Sequence, residues 1–109
     1  TDYIKQHIWF AFQEDHAGVA LRHRMGIDNI CWASDFPHAV GDWPYSADSC
    51  HRQFKDIPIA DRRRLEWANG AVFCGLITKA EREKLVNEPA SSVIPMNLAA
   101  RNARRSGAA

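Results

Sequence analysis

Asp35 and His38, in the run Cys31-Trp32-Ala33-Ser34-Asp35-Phe36-Pro37-His38, are the side chains of this chain best suited to chemistry. A carboxylate can ligate a divalent cation or accept a proton, and an imidazole a few residues on can orient that group or move a proton itself. Asp35 follows an apolar run and precedes Phe-Pro, so it reads as the tip of a buried strand, where α/β folds put catalytic groups. An aspartate that only caps a turn fits the same pattern, and so does a His38 bonded to nearby backbone. A second polar cluster, Glu14-Asp15-His16, also follows an apolar run. It is either a solvated turn or part of the pocket that Asp35 faces, with Glu14 and Asp15 as substrate contacts. Trp43 and Tyr45, on a proline-containing loop, can wall a pocket for a planar or aromatic substrate, because such sites are mostly apolar; Trp43 can equally close the end of a core.

Two strands must deliver these groups to one end. His7-Ile-Trp-Phe-Ala-Phe-Gln13 is an almost unbroken β-favouring run, expected to form a strand over Ile8 to Gln13 that is buried on both faces, and Asn29 to Ser34 is the second strand. Between them Val19, Leu21 and Met25, spaced by polar residues, suit a short helix or irregular turn from Ala17 to Met25 that Gly26 ends. The connection is just long enough for a parallel crossover. Residues 1–6 read as the end of a preceding connection.

After Asp35, His38 to Tyr45 reads as a loop over the mouth. Ser46 is expected to cap a helix from Ala47 to Lys55, which Ile57-Pro58 breaks. A longer helix from Ala60 to Cys74 would turn Leu65, Ala68, Val72, Trp67 and Ala71 inward and leave Arg62, Arg63, Arg64 and Glu66 mostly outward as a solvated face. Gly75 suits a left-handed stop. Thr78-x-x-Glu81 is a capping box that predicts a last helix over Lys79 to Val86. Residues 1–86 thus form the folded segment, and 87–109, rich in Ala, Ser, Asn and Arg, a flexible or docking tail.

Trp32-Ala-Ser-Asp-Phe-Pro-His38, then Trp43-Pro-x-Ser46, and later Asn69-Gly-Ala71 with Gly75-Leu76, resemble the C-terminal end of the amidohydrolase-related family, which includes aminocarboxymuconate semialdehyde decarboxylase. The resemblance covers roughly residues 7 to 77. It implies an α/β architecture, the last two βα units of a TIM (β/α)8 barrel plus C-terminal helices, with a divalent metal at the barrel mouth. It also implies that Asp35, ending the eighth strand, is a metal ligand, and that His38 belongs to the motif, where it can hold a ligand or the loop from behind. The family's other ligands are histidines from a His-x-His on the first strand and from a mid-barrel strand. His7, His16, His23, His38 and His51 include no His-x-His, so this chain could complete a metal site but hardly build one.

At 109 residues the chain falls far short of the ~250 that a closed barrel needs, so it is expected to be a fragment of one. A net charge of +1 depends on Arg101, Arg104 and Arg105 near the C-terminus; without them acidic residues outnumber basic ones, and no nucleic-acid partner is expected. Cys31, Cys50 and Cys74 are odd in number and widely spaced, which suits reduced core thiols in a cytoplasmic protein, and no apolar run is long enough to imply a membrane.

The expected function is therefore the C-terminal part of a metal-dependent hydrolase or decarboxylase acting on a small polar or carboxylated substrate. Zinc is the first choice of metal and manganese the second, not tightly held by this chain alone, and the remaining barrel or a homo-oligomer partner completes the fold. The rival is a stand-alone, non-catalytic α/β binding or interaction module, which would need to oligomerise because two strands do not make a stable sheet. Under the barrel reading the two strands must run parallel as neighbours, with Glu14 and Asp35 at the same end.

Overall fold

Backbone donors and acceptors that no local partner satisfies decide how this chain closes, and side-chain amides from the helices supply much of what is missing. The computed structural model describes residues 2–89. Helix α1 (Asp2–His7) leads into β1 (Phe10–Phe12); α2 (His16–Ala20), α3 (Arg22–Met25) and a 3-10 turn (Ile27–Asn29) cross over to β2 (Ile30–Trp32). A long loop then reaches α4 (Ser46–Phe54). It is followed by α5 (Ile59–Arg63), a π-helical turn (Arg64–Ala68), α6 (Asn69–Phe73) and α7 (Lys79–Val86). The part of the tail beyond residue 89 lies outside the described residues.

β1 and β2 pair in parallel, Phe10 opposite Ile30 and Phe12 opposite Trp32, and the Ala33 amide extends the ladder to the Phe12 carbonyl at 2.9 Å. Each strand is shorter than the sequence leads one to expect, for identifiable reasons. Residues 2–6, within the stretch read as a connection, form most of α1, and Ile8 still donates to the Ile4 carbonyl. At the other strand Asn29 is drawn into the 3-10 turn, and its buried amide donates to the carbonyls of Lys5 and Ile8.

Burial on both faces does not occur. On one face Phe12, Ile30 and Trp32 pack with Val19, Cys50, Phe54 and Leu65 from the helical layer. Trp9, Ala11, Cys31 and Phe73 lie on the other side around an open cleft, Trp9 tilted against Phe73 at 5.3 Å. The sheet has only these two strands among the described residues, so both of its edges are open.

Several helix details differ from expectation. The span from Ala17 to Met25 breaks into two short helices, because Asp15 caps the first by accepting from the Gly18 amide at 2.8 Å and Gly26, at φ 100°, ends the second. Ser46 is not a cap. It is the first residue of α4, with Tyr45 at the cap position, and its hydroxyl donates to Asp42 Oδ1 at 2.7 Å.

The largest difference follows from the π-helical turn. Its extra residue per turn shifts the face of the helix by roughly 100°, so a reading at constant α-helical phase fails across it. Leu65 and Ala68 are buried as expected, but Trp67 is exposed and the arginines are not a solvated face. Arg63 is buried and donates to the carbonyls of Val86 and Glu88, satisfying the C-terminal end of α7. Arg64 grips Glu83 with two bonds of 2.6 Å and also reaches Asp28, while Arg62 pairs with Glu66 at 2.8 Å. The capping box and the left-handed Gly75 form as the sequence suggests.

Asn69, fully buried, donates to the carbonyls of Ile27 and Ile30 at 2.7 and 2.9 Å and accepts from the buried Arg82 guanidinium at 3.0 Å. Asn69→Ala strands all three partners, so we expect it to cost about 3 kcal/mol as a drop in urea midpoint at unchanged m-value, whereas the exposed Asn87→Ala costs under about 0.5 kcal/mol. Acid provides a second check. The Arg64 guanidinium, helped by Arg82, pulls the Glu83 carboxyl from 4.5 down to about 2. A carboxyl depressed in the folded state gives stability that is full above 4.5 and lost as pH falls from there toward 2. Half of the Glu83 side chain is in water, which screens the pair, so the loss expected over that window is under about 1 kcal/mol and disappears in Glu83→Gln.

Candidate active site

The carboxyl ends of β1 and β2 share a cavity of about 320 Å³ lined by Ala11, Phe12, Gln13, Ala33 and Asp35. Asp35 leaves β2 in a left-handed conformation, φ 55°, the one non-glycine residue with positive φ among those described. Aspartate tolerates this region better than most residues, and the turn behind it is fixed by the His38 amide donating to the Asp35 carbonyl at 2.8 Å and the Phe36 amide donating to Ser34 Oγ at 3.3 Å. The bend turns the chain sharply at the strand tip while the carboxylate stays open to solvent.

His38 stands beside it. Its Nδ1 lies 3.7 Å from Asp35 Oδ2 and 3.5 Å from the Val40 amide, both beyond a good hydrogen bond, and the ring is mostly exposed. The two side chains are thus adjacent without being locked together, and a third group could draw either into place. Trp43 and Tyr45 are 65% and 68% exposed, and neither lines the mouth cavity; Trp43 instead meets Phe36 edge-on at 5.5 Å, an aromatic lip on the loop that follows Asp35. Glu14 points away to the surface, 3.3 Å from His16 and 3.7 Å from Arg52. Asp15 spends its carboxylate on the cap of α2. Of the residues that the sequence suggests for the pocket, only Asp35 lines the cavity, with His38 next to it.

Two glutamines that sequence reasoning passed over hold the mouth in shape. Gln13 donates to the Ser34 carbonyl at 3.2 Å, joining the two strand tips. Gln53, buried on α4, donates to the Gln13 carbonyl at 2.7 Å and accepts from the Asp15 amide at 2.9 Å, pinning the loop after β1. The available signal was a polar residue next to Phe54 on the buried side of an amphipathic helix. The cysteines play no such part. Burial pushes the Cys31 thiol up, and burial with nearby Glu66 and Asp42 pushes that of Cys50 up to about 11, so both stay protonated, Cys50 in the core and Cys31 half-buried beside the open cleft.

Asp35 and His38 are the right donor types for a divalent ion but too few, and no group of three or more His, Cys, Asp or Glu able to hold a metal occurs among the described residues. The residues present supply part of a ligand set and do not by themselves form a site. The chain matches no family model, no curated protein and no solved structure among known proteins. Among the described residues no helix is long and apolar enough to cross a membrane. We expect the purified 109-residue chain to carry well under one equivalent of zinc or manganese by elemental analysis; a stoichiometric ion would mean that its own residues complete a site.

Proposed function

We propose that this chain is the C-terminal part of a metal-dependent α/β-barrel hydrolase or decarboxylase of the amidohydrolase-related type, β1 and β2 being its last two strands. The observation that supports the reading is the placing of Asp35. It lies at the carboxyl end of the second of two parallel strands, bent left-handed, on the wall of a cavity that opens between the strand tips, as a barrel-mouth catalytic carboxylate should. The open sheet edges and the uncovered face with Trp9, Cys31 and Phe73 agree with further strands closing the barrel, from the rest of the polypeptide or from a homo-oligomer partner.

In that setting Asp35 supplies one ligand to a zinc or manganese ion whose other ligands lie outside this chain, and the class uses such an ion to activate water or polarise a small carboxylated substrate. The chain's own contribution is to present the Asp35 carboxylate with His38 beside it, to hold the strand tips at fixed spacing through Gln13 and Gln53, and to carry Phe36 and Trp43 as an aromatic lip on the loop that follows. The reading puts the protein in the cytoplasm, with a small molecule as its substrate and neither nucleic acid nor membrane as a partner.

The open edges equally suit a stand-alone α/β module that oligomerises and does no catalysis. The intact mass and metal content of the natural gene product separate the two. A polypeptide of roughly 250 residues or more with a bound divalent ion supports the enzyme; an oligomer of 12.3 kDa subunits without metal supports the module and sinks the enzyme. Within the enzyme, Asp35→Asn keeps the size and removes the charge, so kcat should fall ~100-fold or more, about 2.7 kcal/mol in barrier. His38→Asn should cost ~10 to 100-fold. Near-parental turnover in Asp35→Asn with loss in His38→Asn would reverse the two roles.

A further inference from the structure

Of the five asparagines in the sequence, Asn69 alone is followed by glycine; the others precede Ile30, Glu88, Leu98 and Ala103. An asparagine before glycine is the chemically labile kind, because no side chain hinders the next backbone nitrogen as it approaches the amide carbon. Here the labile pair falls on a fully buried side chain that donates to the carbonyls of Ile27 and Ile30 and accepts from Arg82.

Nothing in the described structure calls for glycine at position 70. Its φ is not positive, unlike those of Gly26 and Gly75, and a Cβ there would meet no atom within 4 Å. It holds the second position of α6, where glycine is a poor helix former. The closed fold, however, restrains the pair. Asn69 is helical, φ −66° and ψ −41°, a backbone that does not bring the Gly70 nitrogen into line with Asn69 Cγ. Both ends of the Asn69 amide are also held by their partners, so α6 must open before the two atoms can meet.

We propose that Asn69-Gly70 is a self-modification site that is exposed when α6 opens and that irreversibly marks each chain which has opened. In the opened chain the Gly70 nitrogen bonds to Asn69 Cγ, the Cγ–Nδ2 bond breaks, and Nδ2 leaves as ammonia with the former Gly70 amide proton. Water then adds to either carbonyl of the succinimide ring and yields aspartate or isoaspartate at this position. Neither product restores the lost donors. A carboxylate turns oxygen toward the carbonyl oxygens of Ile27 and Ile30, and isoaspartate also inserts a carbon into the backbone of α6. The same side chain thus closes the fold and, once the fold is lost, prevents its return. The inference stands on these residues alone and does not depend on the barrel reading.

The test incubates the full 109-residue chain in mildly alkaline buffer, with and without denaturing guanidinium chloride, and follows peptides containing position 69 by mass for the exchange of NH2 for OH. Because opening is the gate, the rate without denaturant should be at least ~100-fold below the rate with it. In denaturant, Gly70→Ala should slow the reaction ~10-fold or more, since a Cβ now crowds the attacking nitrogen. After return to native buffer, a brief protease pulse should spare unmodified chains and deplete the modified ones at least ~10-fold among the survivors. Equal rates with and without denaturant, no reaction in denaturant, or modified chains that survive the pulse as well as unmodified ones would each overturn the proposal.

Discussion

The buried amide of Asn69 is the interaction on which the remainder of the structure hangs. A two-stranded parallel sheet has too few internal bonds to hold itself, and its strand carbonyls must find donors elsewhere. Asn69 reaches out of the helical layer to the carbonyls of Ile27 and Ile30, fixing where the 3-10 turn ends and β2 begins. Its own oxygen accepts from Arg82, which in turn donates to the Asp28 carbonyl and pairs with Glu83. One side chain therefore ties β2, α6 and α7 together, and the start of β2 sets where its tip, and so Asp35, comes to rest.

The mouth is organised by a second set of amides on the same plan. Gln13 joins the strand tips and Gln53 holds the loop after β1 from α4. Gln53 is buried because backbone groups next to it would otherwise lack partners, and it is nearly saturated with hydrogen bonds, as burial demands. Gln53 also takes its remaining proton to Ser49, a buried hydroxyl one turn away on the same helix. Asp35 and His38 lie outside these networks, on a turn fixed by backbone amides and the Ser34 hydroxyl, which leaves their polar atoms available to whatever enters the cavity.

Much of this was legible in the residues. Two apolar runs joined by a short crossover with a Gly26 stop pointed to the parallel pair, and the Asp-Phe-Pro ending put Asp35 at a strand tip. The capping box at Thr78 and the stop at Gly75 are local chemistry and were readable as such. What could not be read was set by tertiary demand. No local rule announces the extra residue in the helix at Arg64–Ala68, yet it carries Arg63 inward and Trp67 outward. Asp15 could belong to a pocket or a cap, and only the fold, by bringing the Gly18 amide to its carboxylate, decides for the cap. Strand burial failed as an expectation because hydrophobicity reports what a strand could bury, and only the number of layers decides what it does bury.

The unpaired strand edges carry a consequence for handling the chain outside its natural setting. A flat, apolar β-surface with free amides and carbonyls along it is a template that any other extended chain can join, a second copy of the same segment included. At the start of β2 the Asn69 amide occupies the Ile30 carbonyl and blunts that edge. β1 carries its Phe-Ala-Phe with no Lys, Pro or bulge to discourage such addition. At high concentration this segment should seed fibrillar or amorphous precipitate through β1 sooner than through β2, and a single lysine introduced on the outer side of β1 is the kind of gatekeeper that keeps such chains in solution.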